Sequence, residues 1–446
     1  MEHCGPLYSF KRGVKYTKTE YDQADTESKR QFPSYCPDDA PFLCTIKSKS
    51  FGLCKKSERE CCNASVAGGI IPINALDDTV VNQGKDYGYD GQRLGQWCGS
   101  IRKDYEGSWH KPEQIPANFK IMTYNAWGGI CNRKSPEQVR LMEETIALRM
   151  KAICEEIRKA DPDFVCLQEM TNFSVGVIDR EIGKLYPYRS ERTFDDRRIE
   201  KERDRTLENY FLSKHRPKTV KIYSIGGNMN YSNCIIAITF PNLIVLNCYM
   251  QAGSKYSPGQ EPYWFHYSRC RRQQYTTLRH LVDQLQRNHF KYQKDHDKMR
   301  PTVPVLVVGD FNADLDGDSY NWPEIHELSK MGLSDIWTKL KQGEAGYTED
   351  TEINLMRWNY KFMEKRLRYD GILHTPAPSL IALDVKIVGT KPIIVDKDLS
   401  DRMYEFMVRN TPDKESKVRF YDTANKLLAL WPSDHFGVVA TFVMCT

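Results

Sequence analysis

Three short polar strings, each placed after an apolar run, could bring reactive side chains together. They are Gln168-Glu169, Gly309-Asp310-Phe311-Asn312 and Ser433-Asp434-His435. Together they offer carboxylates, amides and an imidazole, which are groups that metal-assisted cleavage of a phosphate ester uses. The strings therefore predict one reaction class and leave the substrate open.

Two acids at predicted strand ends are the candidate metal ligands. Glu169 and Asp434 offer the carboxylate oxygens that Mg²⁺ prefers, and Asn125 ends a further predicted strand. We expect Mg²⁺ as the cofactor, with Mn²⁺ as the alternative. A lone acid at a strand end is more often a cap or part of a surface salt bridge, so the three residues carry the prediction only in combination.

Asp310 and Asn312 are the candidates for activating a water molecule. If extended backbone continues past the strand, residues two apart point to the same side. Asp310 can then accept a proton from water, while the Asn312 amide donates to a phosphate oxygen or positions that water. The alternative is an ordinary turn, because aspartate and asparagine both favour turns.

His435 is the candidate donor to the scissile phosphate, because an imidazolium can give a hydrogen bond to the charged group. Such a histidine needs a carboxylate on its other ring nitrogen, and Asp370 is the candidate for that role. A single histidine is more often structural, so this assignment also depends on the neighbouring acids.

The elements that must position these residues follow from apolar periodicity. A helix is predicted to begin at Ser135-Pro136, where serine and proline favour a helix start. Compact apolar runs predict buried strands that carry the polar strings at their ends. Strands are predicted over 121–124, 164–167, 235–238, 243–249, 303–308, 369–373 and 437–443, and a second helix over 271–286. Strands interleaved with helices predict an α/β sandwich.

Six short motifs, in chain order, resemble those of the endonuclease/exonuclease/phosphatase superfamily, which has the DNase I-like fold. They are Met122-Thr123-Tyr124-Asn125, Leu167-Gln168-Glu169, Asn247-Cys248-Tyr249, Gly309-Asp310-Phe311-Asn312, Arg368-Tyr369-Asp370 and Ser433-Asp434-His435. The resemblance covers residues 118–446. It implies a four-layer αββα sandwich of two packed mixed sheets and a magnesium-dependent phosphoesterase.

The resemblance also implies a role for each matched residue. The implied set comprises the metal ligands Glu169 and Asp434, Asn125 as support for the metal or the phosphate, Asp310 as base with Asn312 as its partner, and Asp370 as the orienting group of His435. The chain departs from the superfamily pattern at two positions. Many members have histidine where Tyr249 stands, whereas some abasic-site nucleases have tyrosine there, and its phenol can still donate to phosphate. Gly371 replaces a bulky residue and is expected to open the pocket.

Residues 1–117 form a predicted accessory region that ends in a linker over 100–118. Their cysteines have wide, irregular spacings without the close pairs of a zinc site, which favours a small disulfide-stapled module. The alternative is a set of reduced thiols in a poorly structured arm. The cysteine rhythm resembles modules in proteins of large cytoplasmic DNA viruses. The cysteines concerned are Cys4, Cys36, Cys44, Cys54, Cys61, Cys62 and Cys98.

Charge and hydropathy exclude some classes of protein. The net charge of +5 is compatible with a phosphate-bearing substrate and far from that of a protein that coats nucleic acid. No apolar stretch is long enough to cross a membrane, and the first residues lack a secretory signal pattern. We therefore expect a cytoplasmic or virion-associated protein, and the oligomeric state stays open.

The first functional hypothesis is a phosphodiesterase that acts on nucleic acid, for which the basic segments 214–221 and 269–272 are further support. The alternative is a sphingomyelinase-like phospholipid phosphodiesterase. Thr348-Glu349-Asp350-Thr351-Glu352-Ile353-Asn354 and Met250-Gln251-Ala252 are similar to segments of such secreted enzymes, although no apolar hairpin is evident for engaging a membrane. The second alternative is an inactive binding or virion-structural scaffold on the same fold.

Overall fold

The computed structural model describes the chain mainly from residue 102 onward. The described residues are 7–8, 15–16, 102–108, 111–128, 136–190, 208–225, 233–253, 264–291, 303–317, 321–354, 365–393, 395, 397–399, 401–402, 405 and 430–445. The cysteines on which the predicted N-terminal module depends, from Cys4 to Cys98, lie outside the described residues.

The strands of the described residues, numbered along the chain, form two large sheets and two short pairs. The seven-stranded sheet has the spatial order β12 (Ser334–Asp335), β15 (Asp370–His374), β11 (Val305–Asp310), β10 (Ile244–Tyr249), β9 (Cys234–Thr239), β8 (Thr219–Ser224) and β3 (Arg102–Ser108). The six-stranded sheet has the order β16 (Leu380–Val388), β17 (Gly437–Met444), β4 (Asn118–Asn125), β5 (Phe164–Met170), β7 (Glu208–Ser213) and β6 (Tyr188–Arg189). The short pairs are β1 (Leu7–Tyr8) with β2 (Lys15–Tyr16), and β13 (Glu349–Asp350) with β14 (Arg366–Leu367).

Both large sheets are mixed. β4 runs parallel to β5 and β10 runs parallel to β11, whereas their other neighbours are antiparallel. The helices of the described residues are α1 (Pro136–Ala160), α2 (Asn172–Ile182), α3 (Trp264–Lys291), α4 (Pro323–Ser329) and α5 (Ile336–Leu340). None of these described helices has the length and apolar character that a membrane span requires.

Three apolar clusters separate four layers. The cluster between the sheets includes Phe164 and Cys166 from β5 and Val245 from β10. A second cluster packs α3, through Leu278 and Leu281, against the outer face of the seven-stranded sheet. A third cluster packs α1 and α2 against the outer face of the six-stranded sheet. The order helix, sheet, sheet, helix confirms the predicted αββα sandwich of the DNase I-like fold.

The burial of β5 explains its apolar sequence. Phe164 and Cys166 face the other sheet, while Val165 and Leu167 face the helices. Because both faces of the strand are covered, its sequence is a continuous apolar run and does not alternate with polar residues. β5 is therefore packed on both faces, and it positions Glu169 near its carboxyl end.

The linker prediction for residues 100–118 is wrong over 102–108. β3 pairs antiparallel with β8, from Arg102 opposite Ser224 to Ser108 opposite Thr219, and is the outermost strand of its sheet. Apolar patterning missed it because its sequence is mostly polar, and an edge strand can be polar while its backbone pairs with one neighbour. The division into two domains at 117/118 stays a prediction.

The topology brings the polar strings to one edge of the sandwich. β4 and β5 are parallel neighbours, so Asn125 and Glu169 at their carboxyl ends are adjacent. β15 runs antiparallel to β11, which places Asp370 directly opposite Asp310. β17 is antiparallel to β4, so the string 433–435, which precedes β17, enters at the same edge.

The basic segment 214–221 lies at the opposite end of the sandwich. Ser213 pairs with Phe164 at the start of β5, whereas Glu169 lies near the other end of that strand, and five strand residues span roughly 16 Å. Lys214 forms an ion pair with Asp161 at this distant end. The segment therefore does not border the candidate site, and the support that it gave to a nucleic-acid substrate is withdrawn.

The other basic segment, 269–272, contributes a buried ion pair. Nη2 of Arg271 lies 2.6 Å from Oε1 of Glu324, and both side chains are almost completely buried. Nη1 of Arg271 donates to the carbonyls of Gln251 and Gly253, each at 2.7 Å. Arg271 therefore ties α3 to α4 and to the chain after β10, and its charge does not face solvent.

Candidate active site

The Asn125 side chain links the two sheets at this edge. It is fully buried, and its Nδ2 donates to Oε1 of Glu169 at 3.0 Å and to Oδ2 of Asp310 at 2.8 Å. Its Oδ1 accepts the backbone N–H of Trp127 at 3.0 Å, which fixes the orientation of the amide. Asn125 therefore holds one carboxylate from each sheet in a single network.

Glu169 leaves the regular path of β5. Its φ is 55°, and the pairing of β5 with β7 shifts register between Leu167 and Met170. Such an irregularity re-aims a side chain, and here the carboxylate meets Asn125. The phenol of Tyr249 donates to the same Oε1 at 2.9 Å. Tyr249, which stands where many superfamily members have histidine, thus contacts the candidate metal ligand Glu169.

Asp310 and Asn312 do not follow the extended geometry from which they were predicted to converge. Asn312 has a φ of 52°, and its backbone N–H donates to Oδ1 of Asp310 at 2.7 Å, so the chain makes the turn that was the alternative. The turn still keeps the side chains together, because Nδ2 of Asn312 donates to Oδ2 of Asp310 at 3.0 Å. The same amide donates to the carbonyl of Met250 at 3.0 Å.

Asp370 and His435 form a buried pair beside this network. Oδ2 of Asp370 lies 2.7 Å from Nδ1 of His435, and the two side chains are 0% and 5% exposed. Thr348 fixes the start of β15, since its hydroxyl oxygen accepts the backbone N–H groups of Tyr369 and Asp370, each at 3.0 Å. The orientation of the His435 ring is therefore set by a carboxylate whose own backbone is held.

The space beside Gly371 is filled, and the expectation of an opened pocket is wrong. A Cβ atom at this position would lie 2.5 Å from Cδ1 of Leu315. Glycine therefore allows Leu315 to pack closely against the β15 backbone, next to Asp370.

Asp434 lies in a loop that the β13–β14 region holds at both ends. Nδ2 of Asn354 donates to the carbonyl of Ser433 at 2.7 Å, and the N–H of Phe436 donates to the carbonyl of Thr348 at 2.7 Å. The hydroxyl of Ser433 donates to Oδ1 of Asp434 at 3.2 Å. Thr348 and Asn354 are positioning residues that the candidate set missed. They lie at the two ends of the segment that is similar to one in secreted sphingomyelinases.

Burial and neighbouring charges raise the pKa of both proton-transfer candidates. Burial, with the charges of Asp370 and Glu169, raises the pKa of Asp310 to about 7. Burial alone would lower the pKa of His435, but the carboxylates of Asp370 and Asp434 outweigh it and raise the value to about 9. At neutral pH His435 is therefore protonated, and Asp310 is near the midpoint of its titration.

Arg149 is a buried site residue that the sequence reasoning missed. Its Nη2 donates to the carbonyls of Ala126 at 3.0 Å and Trp127 at 2.5 Å. Burial lowers its pKa to about 10, and the charges of Asp434 and Glu169 oppose that shift. Both candidate metal ligands therefore act on one guanidinium. The available signal was a basic residue within the apolar stripe of α1.

Two groups of side chains could hold a metal ion. Asp310, Asp370 and His435 offer ligand atoms that all lie within 4.8 Å of one another. The predicted set of Glu169 and Asp434, with an amide nearby, offers oxygen atoms that suit a hard divalent cation. In the first group, Nδ1 of His435 is bonded to Oδ2 of Asp370. The second group, Glu169 and Asp434, stays a prediction.

The predicted site residues therefore meet at one edge of the fold. Hydrogen bonds join five of them in one network, namely Asn125, Glu169, Tyr249, Asp310 and Asn312. Asp370 and His435 pair beside it, and Asp434 precedes His435 in the same buried loop. Fold and site together define a phosphoester hydrolase.

The chain belongs to the Endonuclease/Exonuclease/phosphatase family, whose model matches residues 122–435. This match extends from β4 to His435 and confirms the superfamily resemblance. Enzymes of this family depend on a divalent metal, and the match makes this chain an enzyme of the same reaction class. No significant match to the chain is found among curated proteins.

Several solved structures are similar to the chain at low sequence identity. Truncated Caenorhabditis elegans TDP2 is 17% identical, with a TM-score of 0.46, and the match covers 73% of this chain and 98% of that one. D. rerio TDP2 complexed with single strand DNA product is 16% identical, with a TM-score of 0.42 and coverage of 73% and 99%. Beta toxin from Staphylococcus aureus is 15% identical, with a TM-score of 0.43 and coverage of 72% and 99%.

Proposed function

We propose that this chain is a Mg²⁺-dependent phosphodiesterase that cleaves nucleic acid. The observation that carries the proposal is the network in which Asn125 donates to both Glu169 and Asp310, beside the Asp370–His435 pair. This arrangement groups oxygen ligands, a candidate base and a charged hydrogen-bond donor at one edge of the sandwich. These are the components that hydrolysis of a phosphodiester requires.

The donor set fits Mg²⁺. Glu169 and Asp434 supply carboxylate oxygens, and Asn125 orients the first of them through its 3.0 Å hydrogen bond. The charges of Asp434 and Glu169 both raise the pKa of the buried Arg149 guanidinium against the effect of burial, which supports a common location for the two carboxylates. A bound Mg²⁺ would neutralise charge on the phosphate and polarise the leaving oxygen. Mn²⁺ also accepts oxygen ligands and is the alternative.

Asp310 is the proposed general base. The amides of Asn125 and Asn312 hold its Oδ2 at 2.8 Å and 3.0 Å, so the carboxylate has a fixed direction. Its pKa of about 7 suits a group that takes a proton from water at neutral pH. In this role the Asn312 amide positions the base. Its two N–H groups already donate to Asp310 and to the carbonyl of Met250, so the predicted donation to phosphate is not part of the proposal.

His435 is the proposed donor to the phosphate. Because Asp370 binds Nδ1, we assign Nε2 to a non-bridging phosphate oxygen. The raised pKa keeps the imidazole charged at neutral pH, so it can stabilise the charge that develops on the substrate. Tyr249 is assigned to holding Glu169, to which its phenol donates.

Nucleic acid is the proposed substrate class because of the residue at 249. Many members of the superfamily have histidine there, and the tyrosine resembles that of abasic-site nucleases. The modest positive charge of the chain is compatible with a polyanionic substrate. The segment 214–221 gives no support, since it lies at the far end of β5.

The test is a substrate panel in Mg²⁺ that contains abasic DNA, plain DNA, RNA, sphingomyelin vesicles and inositol phosphates. The variants are Glu169→Ala and a matched control, Glu155→Ala, which removes an exposed carboxylate from α1. We expect the wild type and the control to cleave nucleic acid equally. Glu169→Ala should lose activity by about 10²-fold or more while its melting temperature stays near that of the wild type. Unchanged turnover of Glu169→Ala would overturn the proposal.

A phospholipid phosphodiesterase is the second candidate, and one contact pattern favours it. Thr348 and Asn354, at the ends of the segment that is similar to secreted sphingomyelinases, hold the loop of Ser433 and Asp434. Ile353, beside Asn354, is 47% exposed at this place. Release of phosphocholine from sphingomyelin vesicles, with no cleavage of any nucleic acid in the panel, would favour this candidate over the first.

A further inference from the structure

One peptide group in the turn after β11 connects the candidate base to a buried tyrosine. It is the peptide between Phe311 and Asn312, and its N–H and C=O point in opposite directions because the group is planar. At one end, the N–H of Asn312 donates to Oδ1 of Asp310 at 2.7 Å. At the other end, the carbonyl of Phe311 accepts the phenol of Tyr275 at 2.7 Å. A rotation of this peptide would therefore disturb both hydrogen bonds together.

The preceding peptide of the turn is fixed by the neighbouring strands. The carbonyl of Asp310 accepts the N–H of Met250 at 3.0 Å, and the N–H of Phe311 donates to the carbonyl of Tyr369 at 2.9 Å. These partners directly follow β10 and directly precede β15. One residue further along, Asn312 has a φ of 52°, and the chain has left the sheet. The peptide before Asn312 therefore needs a partner from outside the sheet, and α3 supplies it.

The face of α3 that carries Tyr275 is itself held in place. Tyr275 is fully buried in the cluster that packs α3 on the seven-stranded sheet, and the centroid of its ring lies 6.4 Å from that of Phe311. Arg271, four residues earlier, lies on the same face of the helix. It donates to the carbonyls of Gln251 and Gly253. One surface of α3 therefore supports both the loop after β10 and the turn after β11.

The Tyr275 hydroxyl stays protonated at neutral pH and is a donor. Burial, with the charges of Glu324 and Asp310, raises its pKa well above the ordinary value, although Arg271 opposes the shift. Removal of this donor would leave a buried carbonyl without its hydrogen bond, which is costly in an apolar cluster. The contact is therefore a firm support for the turn.

We propose that Tyr275 is a positioning residue for the candidate base Asp310. Its hydroxyl fixes the rotation of the Phe311–Asn312 peptide, and that peptide presents the N–H that holds Oδ1 of Asp310. The inference rests on the proposed function, in which Asp310 takes a proton from water. It gives a buried hydroxyl of α3 an effect on turnover that is transmitted through the backbone.

The test variant is Tyr275→Phe, which removes the hydroxyl and keeps the ring in the core. The matched control is Tyr186→Phe. Tyr186 is also buried, and its hydroxyl donates to the carbonyl of Pro162 at 2.9 Å, at the end of the sandwich opposite the site. The two variants lose the same kind of contact, and only one of these contacts adjoins Asp310. Activity is measured in Mg²⁺ with the panel substrate that the wild type cleaves fastest.

We expect both variants to melt below the wild type by a similar amount, roughly 2–6 °C. Only Tyr275→Phe should lose turnover. Its kcat should fall by about 10- to 100-fold, because a small displacement of a catalytic group is costly in rate. KM and the half-saturating Mg²⁺ concentration should stay within about twofold, since the variant leaves substrate binding and Glu169 unchanged. Tyr186→Phe should keep the wild-type kcat.

Hydrogen exchange provides a measurement that does not depend on turnover. Mass spectrometry of a proteolytic fragment that spans residues 309–313 should show exchange faster by about tenfold or more in Tyr275→Phe, because the Asn312 N–H is released when its peptide can rotate. In Tyr186→Phe this fragment should exchange at the wild-type rate.

A wild-type kcat in Tyr275→Phe, or equal losses of kcat in both variants, would overturn the positioning role and leave the proposed function in place. A fall in kcat without faster exchange at 309–313 would also overturn it, because the hydroxyl would then act by another route. A wild type that cleaves no substrate of the panel would overturn the proposed function and, with it, any role of Tyr275 in turnover.

Discussion

Replacing Asp370 by asparagine should move both limbs of the pH–rate profile to lower pH. The variant keeps the shape of the side chain and removes the charge that faces Nδ1 of His435 at 2.7 Å. That charge raises the pKa of His435 against the effect of burial, so its loss lowers the pH at which the imidazole gives up its proton. The same charge helps to raise the pKa of Asp310, so the base ionises at lower pH as well.

The size of the effect follows from the fraction of protonated imidazole. With a pKa of about 9, nearly all of the His435 rings are charged at neutral pH. At the ordinary value for histidine, roughly one tenth would be charged at pH 7.5, which costs about tenfold in rate. The neutral amide also binds Nδ1 less strongly than the carboxylate and can favour the wrong tautomer by donating to it, so kcat/KM at pH 7.5 should fall by about 10²- to 10⁴-fold.

The assay is kcat/KM between about pH 5 and pH 10 at saturating Mg²⁺. Asp384→Asn, which makes the same chemical change at an exposed position of β16, is the control and should reproduce the wild-type profile. A lower kcat/KM for Asp370→Asn with both limbs at their wild-type pH values would refute the reasoning. In that case the carboxylate would orient the ring without setting its charge.

Two further predictions concern a ligand contact and a backbone position. Tyr249→Phe removes the phenol hydroxyl that donates to Oε1 of Glu169 at 2.9 Å. We expect the half-saturating Mg²⁺ concentration to rise by about 10- to 100-fold, because Glu169 would be held less firmly. An unchanged Mg²⁺ titration would contradict the role of Tyr249 in holding Glu169. Gly309→Ala places a Cβ against the carbonyl oxygen of Cys248 at a φ of 137°. It should lower the free energy of unfolding by roughly 3 kcal/mol, measured by urea denaturation, and an unchanged midpoint would show that β10 and β11 can separate locally.

Several features of the fold and site could be predicted because their signals are local. The compact apolar run of β5 predicted a buried strand, and the positions of Asn125, Glu169 and Asp310 at strand ends predicted a common edge. These inferences succeed because burial selects apolar side chains at each position, whatever the partner. The order of the six motifs then identified the superfamily.

Other features depend on contacts that no local pattern records. The hydrogen bond from Asn125 to Asp310 joins residues 185 positions apart, and Tyr249 meets Glu169 across 80 positions. The turn at Asn312 replaced extended backbone because its N–H and amide both bond to Asp310. The polar strand β3 forms through backbone pairing with β8, which its residue types do not predict.

The amino-acid sequence by itself determined the reaction class, because the residue types that can bind a cation and move a proton are few and their strand-end positions are visible in the chain. Only the tertiary structure decided how they are used. It placed Arg149 against the turn of Trp127 and the Thr348 hydroxyl at the start of β15. It also placed the segment 214–221 at the end of the sandwich opposite the site. The physical reason is that pKa shifts, strain and charge pairing arise from atoms brought within a few ångströms of each other, irrespective of their separation along the chain.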